Sequence, residues 1–590
     1  MEPKREKDAV EISSDSVSRV DKVEFYDPSK ESVWTRIGLS LESFKRAPGT
    51  TGGHVIAGEH NVTNAELLHA DEPLLQQQMK PRHLKMIAVG GSIGTGLFVG
   101  SGLALRQGGP AGVLIAWLLI GVMLINITQA LGEMCILYPV SGGFYTLANR
   151  FLDPGFAMSM GWNYALQWAV TLPLELTVAV TTVQYWGEDI LPVAAWITIF
   201  WVIIIILSVF GTIGFAEGEF WSSCLKLLIA VMFVFIGVIC VAGGGPKGSL
   251  YDHYIGGTFW QNPGAFANGF KGLCTVFVTA AFSFAGTEIV GLAASETPNP
   301  RKTMPSAIKG TFWRITVIYI TTLTIIGLLI PWDEPRLLGG SGSNASPFVI
   351  ALDNAKLHGL SHLVNVTICV SVMSIGMSSV YATSRTMVAL AETGYAPKFF
   401  TYVDKAGRPL WALVFILLWG PIAYVNVAAA GDVVFTWLLG LSSLSTLFTW
   451  LSICLCHIRF RRAWKVQGHS VEELPFQALG GVWGSWFGVI LVTLVLIAQF
   501  YIAIWPIGGM DPDPAVVAEN FFELYLAAPV MILFWVVAYL WKRTLPQRAH
   551  EIDLDTGRKS WLTVEEMREY RAERARAPFY IRIYRILFTN

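Results

Sequence analysis

Seven residues constrain this chain more than any others: Gly90-Gly91-Ser92-Ile93-Gly94-Thr95-Gly96 places four glycines inside a run from Leu84 to Leu105 that is otherwise apolar enough to cross a bilayer. Glycine costs about 1 kcal/mol relative to alanine in a helix interior, so the run reads as two half-helices joined by an unwound hinge. Irregular backbone at membrane depth persists only where protein or a watery cavity satisfies its amides. The hinge therefore predicts a cavity. Free N–H groups at the start of the second half-helix, backed by its dipole, suit an anion such as a carboxylate. A glycine-lined packing surface is the alternative. A soluble nucleotide loop is not: the spacing is G-x-x-G-x-G, no Gly-Lys-Ser/Thr follows, and the flanks are membrane-like.

The rest of the chain agrees with a polytopic membrane protein. Of its 590 residues 53% are hydrophobic and only 14% charged, far from the balance of a soluble domain. The net charge of -1 gives no reason to expect a nucleic-acid partner. The seven cysteines lie in or beside apolar stretches without C-x-x-C pairs, which argues against a disulfide framework or a zinc site. Residues 1–83 are polar and lack sustained apolar periodicity, so they read as a disordered N-terminal tail without a cleavable signal peptide. Twelve apolar spans of about 20 residues follow, at about 84–106, 112–136, 157–186, 194–211, 217–243, 269–292, 306–331, 360–391, 410–428, 432–457, 485–506 and 521–541.

Charge orients them. One side carries Arg301, Lys302, Lys309, Arg314, Lys398, Lys405, Arg408, Arg459, Arg461, Arg462, Lys465, Lys542 and Arg543, whereas the other carries Glu188, Asp189, Asp511, Asp513 and Glu519. Both termini are therefore expected in the cytoplasm. On that topology the sequon at Asn344 is outside and glycosylatable, and the one at Asn61 is not. The Arg/Glu-rich run Glu565 to Arg576 and the aromatic-basic segment Phe579 to Tyr584 read either as a helix with a solvated face plus a patch that rests on the inner leaflet or as a plain solvated helix.

A second interruption, Phe282-Ser283-Phe284-Ala285-Gly286-Thr287-Glu288, falls in the sixth span, five spans after the first. An odd offset orients the two broken helices oppositely, the signature of inverted five-helix repeats with a substrate site at their interface. On the third span Gln167, Thr171 and Glu175 recur every fourth residue and share a stripe, as do Ser371, Ser374 and Ser378 on the eighth, while Ser442, Ser445, Thr446 and Thr449 cluster on the tenth. Ionisable residues at Glu133, Glu175, Lys226 and Glu288 each cost at least ~2.5 kcal/mol at the bilayer centre and must face a partner or water. Lys226 falls close to mid-depth of the fifth span. Glu133 is nearer the inner end, where a structural hydrogen bond is expected.

The runs GGSIGTGLFVGSG, GEM..LYPVSGGFY, LPLELTVA, AFSFAGTEIVGLAASE and CHIRFRRA, with the D-x-D-T-G-R of Asp553 to Arg558, resemble the fungal amino-acid permeases of the amino acid-polyamine-organocation superfamily, over about residues 80–580. The resemblance implies an all-α polytopic membrane protein of about twelve helices with a leucine-transporter-like fold. In that fold, inverted repeats at about 84–243 and 269–457 precede helices 11 and 12, with the transporter domain at 84–543 and a cytoplasmic tail at 544–590. It also implies proton-coupled import of amino acids of broad range at the plasma membrane, with no cofactor, metal or enzymatic activity.

Carried over by position, the hinge Ser92, Ile93, Gly94, Thr95 and Gly96 resembles a substrate-binding segment. The amides of Thr95 and Gly96 would take the carboxylate, and the carbonyls of Ser92, Phe282 and Ala285 the ammonium. Phe282 and Phe284 resemble aromatic covers, and Gln167 and Ser442 hold positions associated with side-chain selection. Lys226 resembles a proton-coupling lysine, with Glu175 and Glu288 as further candidates. The tail lysines Lys4, Lys7, Lys22 and Lys30 resemble acceptors for ubiquitin-ligase machinery. A narrower permease for proline or basic amino acids, and a non-transporting sensor on the same scaffold, are the rival readings.

Overall fold

The computed structural model describes residues 31–47, 79–140, 142–187, 190–294, 296–297, 300–337, 346–428, 431–544, 546–559 and parts of 565–581. The tail lysines, the sequon asparagines Asn61 and Asn344, Glu188 and Asp189, and about half of the Glu565 to Tyr584 stretch lie outside the described residues.

Among the described residues the regular structure is helical. Helix α1 is Pro81–Gly90, and α2 is Ser101–Leu137, preceded by one wide turn at Gly96–Gly100. They are followed by α3 Phe144–Phe151, α4 Pro154–Gln184, α5 Val193–Val209 and α6 Gly211–Val241. The second broken helix is α7 Gly269–Phe284 with α8 Ile289–Ala293; α9 Pro300–Trp313 then runs through a wide segment, Arg314–Ile320, into α10 Thr321–Leu329. The remainder is α11 Pro347–Asn354, α12 His358–Glu392, α13 Leu410–Leu417, α14 Gly431–Val466, α15 Gly481–Ile504, α16 Pro514–Tyr525 and α17 Ala527–Lys542.

Nine helices among the described residues are long and apolar enough to cross a membrane, and ten if α16 and α17, bent by 68° at Leu526, form one span. One of the nine, Gly96–Leu137, is too long for a single crossing and is broken at Gly109, whose φ of 72° is followed by Pro110. Counting it as two, and adding the shorter α5, accounts for the twelve expected spans. The starts of the helices follow local chemistry. At α4, for instance, Asp153 accepts a hydrogen bond from the Phe156 amide at 3.0 Å and Pro154 occupies the first turn, where its missing N–H costs nothing.

Both interruptions read from the sequence are present. Residues 91–94 are unwound between α1 and the turn at Gly96, and Ala285 (ψ 147°) with Gly286 (φ 90°) separates α7 from α8. Each half-helix lies against the opposite half of the other broken helix: α1 meets α8, and the turn at Gly96–Gly100 meets α7. The two broken helices therefore run antiparallel, side by side, and α4 packed on α12 forms the wall beside them.

The tails differ in part from the expectation. Residues 31–47 lie in the segment read as disordered, yet they fold into two short turns held by a buried arginine. The Arg408 guanidinium pairs with Asp404 at 2.7 Å and donates to the carbonyls of Gly38 (3.2 Å) and Val209 (2.6 Å) and to Ser43 Oγ (3.0 Å). Low hydrophobicity did not keep this piece unfolded because its partners come from a distant loop. At the other end, Ile552 and Leu554 are buried, Tyr138 donates to the Leu554 carbonyl at 2.7 Å, and Arg558 reaches Glu473 at 3.3 Å while stacking over Trp464.

Candidate functional site

The two breaks meet at a cavity of about 20 Å³ lined by Ser92, Thr95, Gly96, Trp168, Thr171, Glu175, Phe282, Ala285 and Ile375. That volume is on the order of one water molecule. The site is therefore too small for an amino acid, and admitting one requires its walls to move.

Glycine is required at the hinge by close approach. A Cβ on Gly96 would lie 2.4 Å from the Ser283 Cα on α7, and one on Gly90 would lie 2.3 Å from the Ser223 Cβ on α6. These contacts press the first broken helix against the second and against the fifth span. No backbone hydrogen bond among the described residues engages the amides of Thr95 or Gly96, as expected where a helix begins after an unwound segment. Both residues line the cavity, and the Thr95 hydroxyl donates to Glu175 Oε2. The other carboxylate oxygen, Oε1, is buried without a hydrogen-bond partner.

Tyr319, on the wide segment of the seventh span, ties both breaks together. Its hydroxyl lies 2.9 Å from the Ser92 carbonyl and 2.6 Å from the Ser283 carbonyl. Ser371 fixes the hinge from the eighth span by donating to the Ile93 carbonyl at 3.0 Å. Arg314 was read as a cytoplasmic loop charge, but it is buried and donates to the Ala88 carbonyl at 2.7 Å and to Thr287 Oγ1 at 2.5 Å. It joins the end of α1 to the break in the sixth span.

The sequence candidates divide. Ser92, Thr95, Gly96, Glu175, Phe282 and Ala285 line the cavity, whereas Ile93 and Gly94 are buried in the hinge behind it. Gln167 is buried outside the lining with no partner for its side-chain amide, and Ser442 is one step removed, sharing a 2.9 Å hydrogen bond with Thr171. Phe284 does not cover the cavity. Its ring packs on Tyr319 with centroids 4.6 Å apart, because two residues along α7 turn the side chain by about 200°, to the face away from Phe282. Trp168 and Ile375 line the cavity and were not singled out, although Trp168 sits beside Gln167 and Ile375 beside Ser374 on stripes that were.

Lys226 is fully buried at the end of α1. Its ammonium lies 3.4 Å from the Gly90 carbonyl, 3.1 Å from Ser374 Oγ and 3.4 Å from Glu219 Oε1. Glu288, the other candidate for coupling, is not beside Lys226: it takes hydrogen bonds from the Gly286 amide (3.2 Å), Tyr164 (3.4 Å) and Trp450 (3.4 Å). Its own loop turns it toward the third and tenth spans. The buried charges Glu219, Glu296 and Arg385 were missed, and the last two pair at 3.1 Å. Glu133 has the structural role expected of it, held by His457 at 3.0 Å, Arg461 at 2.6 Å and the Ala478 amide at 2.6 Å.

Residues 83–551 match the family model "Amino acid permease". The chain belongs to the amino acid permease family. It is 51% identical over 557 residues to "Amino-acid permease inda1" of Hypocrea atroviridis, covering 93% of this chain and 92% of that one. It is 47% identical over 555 residues to "General amino-acid permease GAP2" of Candida albicans, covering 92% of each. Among solved structures, a nucleobase-cation-symport-1 transporter, Mhp1, aligns at 16% identity and a TM-score of 0.43 over 85% of this chain and 98% of its own.

Proposed function

We propose that this permease is a proton-coupled importer of amino acids of broad range, acting at the plasma membrane with both tails in the cytoplasm. The observation that carries the reading is the small cavity where the two helix breaks meet, lined by Thr95 and Gly96, whose amides no backbone hydrogen bond engages among the described residues. Those amides and the half-helix dipole suit the carboxylate common to all amino acids. The carbonyls of Ser92, Phe282 and Ala285 suit the ammonium, since each carbonyl oxygen can accept a second hydrogen bond besides the one that Ser92 takes from Tyr319. Because these groups are backbone atoms, they serve every amino acid alike. Trp168, Thr171, Ile375 and, behind them, Gln167 and Ser442 are left to sort side chains. The names of relatives such as the general permease support broad range.

Proton coupling is assigned to Lys226. A protonated ammonium bridges the fifth and eighth spans to the end of α1, and proton loss releases that bridge. Substrate that binds one of the two states better is then linked to the proton gradient.

Uptake of labelled glycine, leucine, arginine, proline and glutamate in fungal cells lacking their own permeases tests this. The expected result is uptake of several chemical classes, each inhibited by the others, stimulated by external acid and abolished by a protonophore. Uptake confined to proline or to basic amino acids would replace broad range with narrow, and accumulation indifferent to the protonophore would remove proton coupling.

A further inference from the structure

The sequence offered Lys226 as the charge within the fifth span, with Glu175 and Glu288 on other spans as further candidates. The structure gives it another partner. Glu219 lies two helical turns earlier on α6, fully engaged: Oε1 faces the Lys226 ammonium at 3.4 Å and Ser223 Oγ at 3.1 Å, and Oε2 accepts from Ser374 Oγ. Ser374 also lies 3.1 Å from the ammonium, and Ser223 Oγ lies 3.3 Å from the Met86 carbonyl of α1. We propose that Glu219 is the positioning residue that holds the Lys226 ammonium against the Gly90 carbonyl, so that the coupling element is the Glu219–Lys226 pair.

This rests on the reading of Lys226 as the proton-exchanging group and adds the group that sets its charge. A buried ammonium with a carboxylate at hydrogen-bonding range is favoured in its charged form. It then spans α6, α12 and the last carbonyl of α1, just before the hinge. Apart from Glu175, the other charges around the pair are committed elsewhere. On α1, His83 and Arg82 are engaged by Glu217. On α12, Arg385 pairs with Glu296 and lies eleven residues from Ser374, about 16 Å along the helix. On α4, Glu175 accepts from Thr95 through one oxygen only, its Oε1 has no hydrogen-bond partner, and it is the second carboxylate that acts on the ammonium, from beyond hydrogen-bonding range; on the seventh span Arg314 is bonded to Ala88 and Thr287 on the other side of α1. Helices α5 and α10, which also pack on α6, carry no charged residue.

The test is the external-pH profile of uptake by Glu219→Gln in cells, with surface protein measured in parallel. Without the carboxylate, more external acid is needed to load the lysine, so the half-maximal pH falls by roughly one unit. Uptake at saturating acid returns to the parental KM. Robust uptake with an unshifted profile overturns the proposal. If the single variant fails to reach the surface because an unpaired ammonium is left buried, Glu219→Gln with Lys226→Gln removes both charges. That double variant is expected at the surface, exchanging substrate without pH dependence. A double variant that still accumulates substrate in a pH-dependent way, or that also fails to reach the surface, overturns the pair as a coupling element. Lys226→Met alone separates the two readings: pH-dependent accumulation in that variant defeats the lysine assignment itself, whatever Glu219 does.

Discussion

Replacing Gly96 with alanine asks whether the hinge binds what all substrates share. The added methyl would sit 2.4 Å from the Ser283 Cα, 2.6 Å from its Oγ and 2.9 Å from its Cβ. Carbon atoms rest at about 3.5–4.0 Å, so the hinge must withdraw from α7 by roughly 1 Å. The clash is with backbone and cannot be relieved by a rotamer change. Overpacking of this kind costs about 1–3 kcal/mol, against which alanine returns about 1 kcal/mol of helix propensity. The protein should therefore fold and reach the surface. The cavity should not survive intact, because Ser92, Thr95 and Gly96 on one wall and Phe282 and Ala285 on the other are shifted apart. Losing even one charge-assisted hydrogen bond of about 1.5–3 kcal/mol raises KM by roughly 10- to 150-fold. The assay is concentration-dependent uptake of labelled glycine, leucine and arginine, normalised to surface protein. All three should weaken together. The control is Gly100→Ala, one turn on, whose methyl would meet the Thr279 Cγ2 at 3.1 Å and the Thr95 carbonyl at an ordinary 3.6 Å; it should change KM by no more than about threefold, under 1 kcal/mol. A Gly96 variant that keeps the parental KM for any one of the substrates would refute the shared-carboxylate argument.

Three further outcomes follow from the same geometry. Gln167→Ala and Ser442→Ala should reorder preference among amino acids by about 1–3 kcal/mol while leaving glycine uptake largely intact; equal loss for glycine and leucine would reduce these positions to helix packing. Arg314→Lys keeps the charge but cannot reach Ala88 and Thr287 together, so thermal stability in detergent should fall by about 1–3 kcal/mol for the lost charge-assisted bond, and an unchanged melting temperature would deny it a tying role. The docked C-terminal tail should loosen in acid. Burial raises the Asp553 carboxyl, but hydrogen bonds from Thr556 and the Asp555 amide outweigh it and hold the group below its ordinary value. Its stabilisation is therefore present at neutral pH and lost as pH falls through the depressed value, so limited proteolysis near residue 553 should accelerate in strongly acidic buffer, and equal cleavage rates would count against this turn.

The sequence made the breaks legible because glycine acts locally: four in seven residues cannot make a good helix wherever the chain goes. The count of twelve spans was legible for the same reason, since length and apolarity are properties of a segment. Side-chain partners were not. Glu219 lies seven residues before Lys226, hence on the same helix face, and that spacing was a usable signal, but it fell at the edge of an apolar run and was passed over. Arg314 was counted with the loop charges although it falls inside the seventh span at about 306–331, and nothing local reveals that α1 and the sixth span would supply its acceptors. Phe284 stands two residues after Phe282, and on a helix that spacing sends the two rings to nearly opposite faces, so the difference was legible and was passed over. The docked 31–47 segment depended on Arg408, more than 350 residues away.

Reconstitution into liposomes tests the central claim most directly. With an imposed inward proton gradient, the purified permease should accumulate labelled leucine above the external concentration, lose that accumulation when a protonophore is added, and retain only substrate exchange as Lys226→Met. Accumulation that persists without the gradient, or that Lys226→Met performs as well as the parent protein, would contradict the account.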